Sequence, residues 1–190
     1  MRKLTYFIGV SIDGFIAAPD GAFDWFFPFV DPEYMGFLAA EYPETMAAAG
    51  REPLGLPEPD PKRFDAVIMG RATYELGDAS PYRPLKHYVA SRSLTAPADS
   101  GDEIISGDLV ARVRELKAED GLGIYLCGGA DLAGQLVEEI DEFVIKTYPV
   151  FLGSGIPMSR AGYVPRGLEL TDVRSFGGGQ VVTTYARKRS

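Results

Sequence analysis

The alternation of short apolar runs with amphipathic segments predicts a chain of alternating strands and helices. Apolar runs predict strands over residues 4–10, 66–69, 87–90, 104–105, 123–127 and 143–150. Helical spacing of apolar residues predicts helices over 33–49, from 71 onward, over 109–119 and over 130–139. Segments 168–173 and 180–186, separated by three glycines, predict a β-hairpin. This order predicts an α/β fold with a mixed, mostly parallel sheet, helices on both faces and an antiparallel C-terminal hairpin.

Two of the predicted strand-to-helix turns are made by glycine. One strand ends at Gly70, with Arg71 and Thr73 in the first turn of the next helix, and another ends at Gly128-Gly129. Such turns leave backbone N–H groups unpaired, which favours a bound anion, and glycine lets a ligand approach the backbone. The guanidinium of Arg71 suits a phosphate group. The two turns predict a ligand with more than one phosphate, and packing without any ligand is the alternative.

Composition narrows the class of protein. A length of 190 residues predicts one domain over residues 1–190. A net charge of −8 disfavours a nucleic-acid surface, and no apolar run is long enough to span a bilayer. Cys127 is the only cysteine and His87 the only histidine, which excludes a disulfide and a zinc site built from these residue types. We expect a cytoplasmic protein with no metal.

A dense group of aromatic residues lies in the predicted loop over 13–32. We expect Trp25 and Phe26 to stack on a flat substrate, and the alternative is that they plug the core or form a dimer contact. Lys146, within a predicted strand, is expected to face solvent, and approach to a substrate is the alternative.

Acidic residues follow at the start of the next helix. Asp31 or Glu33, buried against aromatic rings, would have the raised proton affinity that a general acid needs. The alternative is structural: Asp31 caps the helix, and Glu33 favours its positive N-terminal end.

Five segments in register resemble the dihydrofolate reductase superfamily. Within it they are similar to the reductase domain at the C-terminus of the riboflavin-biosynthesis deaminase/reductase, the RibD C-terminal type. The segments are 10–17, 20–25, 69–75, 128–129 and 149–157, and the match spans nearly the whole chain in the expected order. The resemblance implies a three-layer dihydrofolate reductase-like fold. It also implies an oxidoreductase that uses NADPH to reduce a planar nitrogen heterocycle of the pterin or aminopyrimidine type.

The resemblance also implies roles for individual residues. Arg71 and Arg92 would bind the 2′-phosphate of NADPH. The other implied cofactor contacts are Gly70 and Thr73 at the phosphates, Ser91 and Ser93 at the adenosine end, Gly128, Gly129, Ala130 and Asp131 at the pyrophosphate, and Gly9, Val10 and Ile16 beside the nicotinamide. Alignment by Pro32 puts Tyr34 where dihydrofolate reductases carry a catalytic carboxylate, so Asp31, Glu33 and Tyr34 are the catalytic candidates.

Two departures from the family pattern concern the substrate side. Phe15 stands where the riboflavin-pathway reductases have Lys or Arg, and Cys127 stands where they have Glu. Both changes disfavour a phosphoribosyl-aminopyrimidine substrate. A true riboflavin-pathway 5-amino-6-(5-phosphoribosylamino)uracil reductase and a non-enzymatic nucleotide-binding protein are therefore alternatives. The expected partners are a small heterocyclic substrate and a second copy of the chain in a homodimer, with no nucleic acid and no membrane.

Overall fold

An eight-stranded sheet forms the centre of the protein. The computed structural model describes residues 1–52, 55–76, 81–97 and 100–188. Numbered in chain order, the strands lie side by side as β5 (Glu103–Ile105), β4 (Lys86–Ala90), β3 (Phe64–Gly70), β6 (Gly123–Gly128), β1 (Leu4–Ser11), β7 (Glu142–Tyr148), β10 (Val181–Arg187) and β9 (Leu168–Ser175). Neighbours from β5 to β7 are parallel, and β10 and β9 complete the sheet as an antiparallel hairpin. The predicted fold class is confirmed.

Helices cover both faces of this sheet. They are α1 (Pro32–Glu41), α2 (Ala48–Arg51), α3 (Arg71–Tyr74), α4 (Leu109–Ala118) and α5 (Ala130–Gln135), with 3-10 turns at Asp24–Phe29 and Pro43–Thr45. Successive strand residues point to opposite faces. Phe7 accordingly packs in the apolar cluster under α1, whereas Tyr6 packs in the cluster under α4 and α5. Within the described ranges, no helix has the length and hydropathy needed to cross a membrane.

Several predicted boundaries differ from the structure. The helix predicted over 33–49 ends at Glu41, because Pro43 lacks the N–H that the helix would need. The loop predicted over 13–32 contains β2 (Phe15–Ala17), which pairs with β8 (Ile156–Pro157). The helices after Gly70 and Gly129 are short: α3 has a single turn, and α5 ends at Gln135 rather than at 139.

A buried polar cluster surrounds the single histidine. Nε2 of His87 accepts the backbone N–H of Tyr82 at 3.3 Å, and Nδ1 lies 3.6 Å from a carboxylate oxygen of Asp102. The other oxygen of Asp102 accepts the hydroxyl of Tyr74 at 2.6 Å. An accepting Nε2 requires a neutral ring with its proton on Nδ1. Burial lowers the pKa of His87 and outweighs the opposing effect of Asp102, with Arg83 adding to the decrease.

The lowered pKa of His87 predicts a loss of stability in acid. As the pH falls below the ordinary value of 6.5, the unfolded chain binds a proton before the folded protein does. The stability that neutral His87 contributes is present above that pH and is lost as the pH falls through the pKa of His87 in the folded protein. We expect the free energy of unfolding, measured with urea, to decrease over this range more steeply in the wild type than in His87→Gln, which does not titrate. Equal pH dependence in the two proteins would contradict the assignment.

Candidate functional site

The glycine ends of β3 and β6 meet at the carboxyl edge of the sheet, because the two strands are parallel neighbours. A Cβ placed on Gly70 would lie 3.8 Å from the carbonyl oxygen of Gly128 and 4.0 Å from the nitrogen of Gly129. Gly128 has a φ of +108°, a conformation that side chains disfavour, and its peptide bond to Gly129 is cis. A Cβ on Gly129 would meet nothing within 4 Å. The two turns therefore form one backbone surface with open space beside it.

Arg71 joins this surface to the segment after β4. Its Nη1 donates to the hydroxyl of Ser93 at 2.9 Å, and its Nε donates to Glu75 at 2.8 Å. Ser91 shapes the same segment by accepting the backbone N–H of Leu94 at 3.0 Å. Because α3 is a single turn, its dipole is small, and the exposed guanidinium of Arg71 is the stronger attraction for an anion. The exposed pair with Glu75 is weak enough for a phosphate to displace.

The other predicted cofactor residues lie around these turns. Arg92 is exposed between Ser91 and Ser93, Thr73 is half-buried in α3, and Ala130 is buried at the start of α5. Gly9 and Val10 are in β1, and Ile16 is in β2. Since β1, β3, β4 and β6 run in parallel, the residues at and after their carboxyl ends share one edge of the sheet.

Arg160 is a charged residue that the sequence patterns missed. Its guanidinium pairs with the carboxylate of Asp131 at 2.8 Å, and its backbone N–H donates to the carbonyl of Ala130 at 3.0 Å. A Cβ on Gly134 would lie 2.8 Å from the backbone of Arg160 and Ala161, so this glycine permits the close contact. Arg160 thus adds a second cation next to the Gly128-Gly129 turn. No local motif marks it.

Asp13 fixes the loop that borders β1. Its carboxylate accepts the hydroxyl of Ser11 at 2.6 Å and the backbone N–H groups of Leu152 and Gly153 at 3.1 and 2.7 Å. Burial opposes the charged form, but these hydrogen bonds outweigh it and lower the pKa of Asp13. A side chain at Gly155 would clash with the carbonyl of Ala17. These contacts hold the 149–157 segment against β2.

Lys146 is half-buried, with its ammonium over an aromatic ring, rather than facing solvent as expected. It lies between buried Val144 and Tyr148 on the same face of β7, the face that α1 covers. Its cross-strand neighbour on β1 is Gly9. Its Nζ lies 4.0 Å from the centre of the Phe7 ring. Burial lowers the pKa of Lys146 to about 8.

Tyr148 is the centre of the aromatic group. Its ring packs against Trp25 and Phe26, with ring centres 5.9 and 5.1 Å away. Its hydroxyl is 2.9 Å from that of Tyr34, and burial, followed by Tyr148 itself, raises the pKa of Tyr34. Trp25 and Phe26 are half-buried against the core cluster, as the core-plug alternative requires. The indole N–H of Trp25 is buried without a hydrogen-bond partner among the described residues.

The two candidate carboxylates bind backbone N–H groups. One oxygen of Asp31 caps α1 by accepting the N–H of Tyr34 at 2.8 Å, and the other accepts the N–H of Gly178 at 2.6 Å. Glu33 accepts the N–H of Gly177 at 3.1 Å. Both therefore tie α1 to the turn between β9 and β10. The capping alternative for Asp31 is what the structure shows, and a catalytic role for Asp31, Glu33 or Tyr34 stays a prediction.

Comparison with known proteins identifies the family. The RibD C-terminal domain matches residues 2–183. The chain belongs to the RibD C-terminal domain family. Two relatives from Bacillus subtilis strain 168 support this assignment: YwjB is 33% identical over 93% of both chains, and YyaP is 25% identical over 97% of this chain and 94% of its own. The resemblance recognised in the sequence is confirmed.

Solved structures of RibD type share the fold. A putative riboflavin biosynthesis protein from Shewanella sp. PV-4 superposes with a TM-score of 0.75 at 24% identity, over the full length of both chains. The diaminohydroxyphosphoribosylaminopyrimidine deaminase/5-amino-6-(5-phosphoribosylamino)uracil reductase of Thermotoga maritima superposes with a TM-score of 0.69 at 14% identity. It is matched over 98% of this chain and 57% of its own. At these identities the likeness shows the fold alone.

The double engagement of Asp31 predicts a larger stability cost than an ordinary helix cap. Asp108 is the matched control, because it caps α4 through the N–H of Ala111 at 3.0 Å and its carboxylate accepts no second hydrogen bond from any residue that the structure describes. We expect Asp108→Ala to lower the free energy of unfolding by about 1 kcal/mol. Asp31→Ala should cost roughly 1 kcal/mol more, since Gly178 also loses its acceptor. Urea unfolding measures both, and equal losses would show that the hairpin contact adds nothing.

Proposed function

We propose that this protein is an NADPH-dependent reductase of a planar nitrogen heterocycle of the pterin or aminopyrimidine type. The observation that carries the proposal is the meeting of Gly70 with Gly128-Gly129 beside the Arg71–Ser93 contact. In a chain of the RibD C-terminal domain family, this arrangement matches what a phosphorylated nicotinamide cofactor needs. Family membership and geometry thus support the same ligand.

The residues present fit NADPH. The backbone at Gly129 has the open space that a pyrophosphate requires, and a side chain at this position would fill it. The guanidinium of Arg71, with exposed Arg92 two residues from the end of β4, provides positive charge for a 2′-phosphate. When bound, the cofactor supplies the hydride, and the protein supplies binding, orientation and protons. Ser91, Ser93 and Thr73 would complete the contacts at the adenosine and phosphate ends.

The substrate side differs from that of a riboflavin-pathway reductase. Burial raises the pKa of Cys127, and its thiol lies between the hydroxyls of Tyr125 and Tyr82 at 3.4 and 3.5 Å. The position therefore holds a neutral thiol where that pathway's enzymes carry a carboxylate. Phe15 lies against the loop at Gly155, with 3.3 Å between its side chain and a Cβ placed there. An uncharged heterocycle is the substrate class that these two positions favour.

A non-enzymatic nucleotide-binding protein is the second candidate. The observation in its favour is that Asp31 and Glu33 are held by backbone N–H groups of the hairpin turn. A turnover screen separates the two candidates. Loss of NADPH absorbance with a dihydropterin or an aminopyrimidine supports the reductase, whereas NADPH binding without turnover of any compound of the panel supports the second candidate.

Loss of the Arg71 guanidinium should weaken NADPH binding and leave NADH binding nearly unchanged. Charge-assisted hydrogen bonds contribute about 1.5–3 kcal/mol each, so we expect Arg71→Gln to lower NADPH affinity about tenfold or more. Isothermal titration calorimetry with both nucleotides measures the difference. The residue sits on the surface, so folding should be preserved.

Arg114→Gln is the control for this experiment. Arg114 is an exposed arginine of α4 that pairs with Glu139 at 2.6 Å, much as Arg71 pairs with Glu75. The Arg114→Gln variant should bind NADPH with the same affinity as the wild type. An Arg71→Gln variant with unchanged NADPH affinity, or a wild type that binds both nucleotides equally, would contradict the assignment of the 2′-phosphate site.

The predicted homodimer stays a prediction. Strand β9 lies at one edge of the described sheet, and its residues Leu170 and Val173 are exposed. An exposed edge strand with apolar side chains favours pairing with another chain. Light scattering after gel filtration measures the mass of the assembly directly.

A further inference from the structure

Lys146 is a half-buried cationic side chain that the proposed cofactor site leaves unexplained. It stands beside Gly9 in the pairing of β1 with β7, at a position where the absence of a side chain on β1 leaves room. On its other side, Val182 of β10 is buried. A Cβ on Gly9 would lie 3.0 Å from the Tyr148 ring, so any larger residue there would need the ring to shift. Lys146 therefore borders the predicted nicotinamide position at Gly9.

The ammonium group of Lys146 has no anionic partner. Among the described residues it forms neither a salt bridge nor a hydrogen bond, and its contact is the face of the Phe7 ring. Cys127 of β6 is the titratable group that acts on it, and this thiol is neutral and bonded to Tyr125 and Tyr82. An unpaired ammonium in an apolar layer costs free energy, because burial disfavours its charged form. Lys117 differs in this respect: it is buried, but its ammonium pairs with the carboxylate of Asp141 at 2.7 Å.

The alternative proton donors near Gly9 are less suitable. The carboxylates of Asp31 and Glu33 bind the hairpin turn. The hydroxyls of Tyr34 and Tyr148 bind each other, and burial raises the pKa of both, so they give up protons reluctantly. Lys146, in contrast, has a pKa lowered to about 8, near the pH at which a general acid is most effective.

We propose that Lys146 is the general acid of the reductase, a role that rests on the proposed function. Reduction of a C=N bond by a reduced nicotinamide adds a hydride to the carbon and requires one proton at the nitrogen. The Nζ–H bond of Lys146 breaks as the new N–H bond forms, and the two electrons of the C=N π bond become the lone pair that accepts this proton. The neutral amine then takes a proton from water. The substrate class this implies is a heterocycle with a polarised C=N bond, as in dihydropterins.

The first test follows Lys146 without any turnover. In protein labelled with ¹³C-lysine, the Cε resonance of Lys146 is assigned by its absence from Lys146→Met. We expect it to titrate near pH 8 and to shift when NADPH is added. Lys86 is the matched control, since it also lies over an aromatic ring, that of Tyr88 at 5.0 Å, but is exposed and near Glu103 at 3.8 Å. A Lys146 midpoint near the ordinary value of about 10.4 overturns the proposal.

The second test measures turnover of the dihydropterin that the screen identifies, as a function of pH. In the wild type, kcat should fall as the pH rises through the pKa of Lys146. Lys146→Met should lose this pH dependence and about 100-fold or more of kcat, with KM little changed. Lys146→Arg should be equally slow, because a guanidinium keeps its proton. Lys86→Met should match the wild type.

The outcomes separate the two proposals. A wild type that binds no NADPH, or turns over no compound of the panel, overturns the reductase and the role of Lys146 with it. A wild type that turns over a dihydropterin while Lys146→Met keeps the same rate and the same pH profile overturns only the role of Lys146. Full activity of Lys146→Arg at high pH also overturns only the role of Lys146, since an arginine side chain cannot act as the acid.

Discussion

The parallel pairing of β3 with β6 is the constraint on which the rest of the site depends. It brings the ends of the two strands together, so that a Cβ placed on Gly70 would be in van der Waals contact with the Gly128-Gly129 peptide, at 3.8 and 4.0 Å. A residue with a side chain at Gly128 would be strained there, because its φ is positive. The same edge also receives the segments after β1 and β4, since these strands run in the same direction.

The two faces of the sheet serve different purposes. The face under α4 and α5 is a mostly aliphatic core that includes fully buried Leu126 and Leu136 together with the buried tyrosines Tyr6 and Tyr88. The face under α1 mixes apolar side chains with hydroxyls, a thiol and the ammonium of Lys146. Burying such polar groups costs free energy unless each has a partner. The hydroxyls and the thiol are hydrogen-bonded to one another, whereas the ammonium of Lys146 lies over the Phe7 ring. The proposed chemistry is therefore assigned to the α1 side of the sheet, next to the proposed cofactor edge.

Much of this arrangement follows from local sequence patterns, and some does not. The strands, the glycine turns and the capping alternative for Asp31 are local features, because each depends on a few adjacent residues. The end of α1 at Glu41 was also predictable, since Pro43 cannot continue a helix. The orientation of Lys146 was harder to infer. Both faces of β7 carry apolar residues, as expected for a strand buried on both sides, so the pattern does not say which face lines a site.

Some contacts could not be predicted because their partners lie far apart in the sequence. Arg160 reaches Asp131 from 29 residues away, and Gly178 reaches Asp31 from 147 residues away. Neither contact is marked by a local sequence motif, because the partners come together only when the sheet forms. The end of α5 also differs from the prediction: the apolar spacing continues past Gln135, but the helix ends there.

The account's central claim is that the carboxyl edge of the sheet binds a phosphorylated nicotinamide cofactor. The most direct test is an NMR titration of ¹⁵N-labelled protein with NADPH that follows every backbone amide. We expect the largest shifts at Gly70, Arg71, Gly128, Gly129 and Ser93. The hollow at the opposite edge, lined by Lys3, Thr5, Arg63, Phe64, Gly123 and Glu142, should be unaffected. Shifts centred on that hollow, or no shifts at all, would contradict the claim.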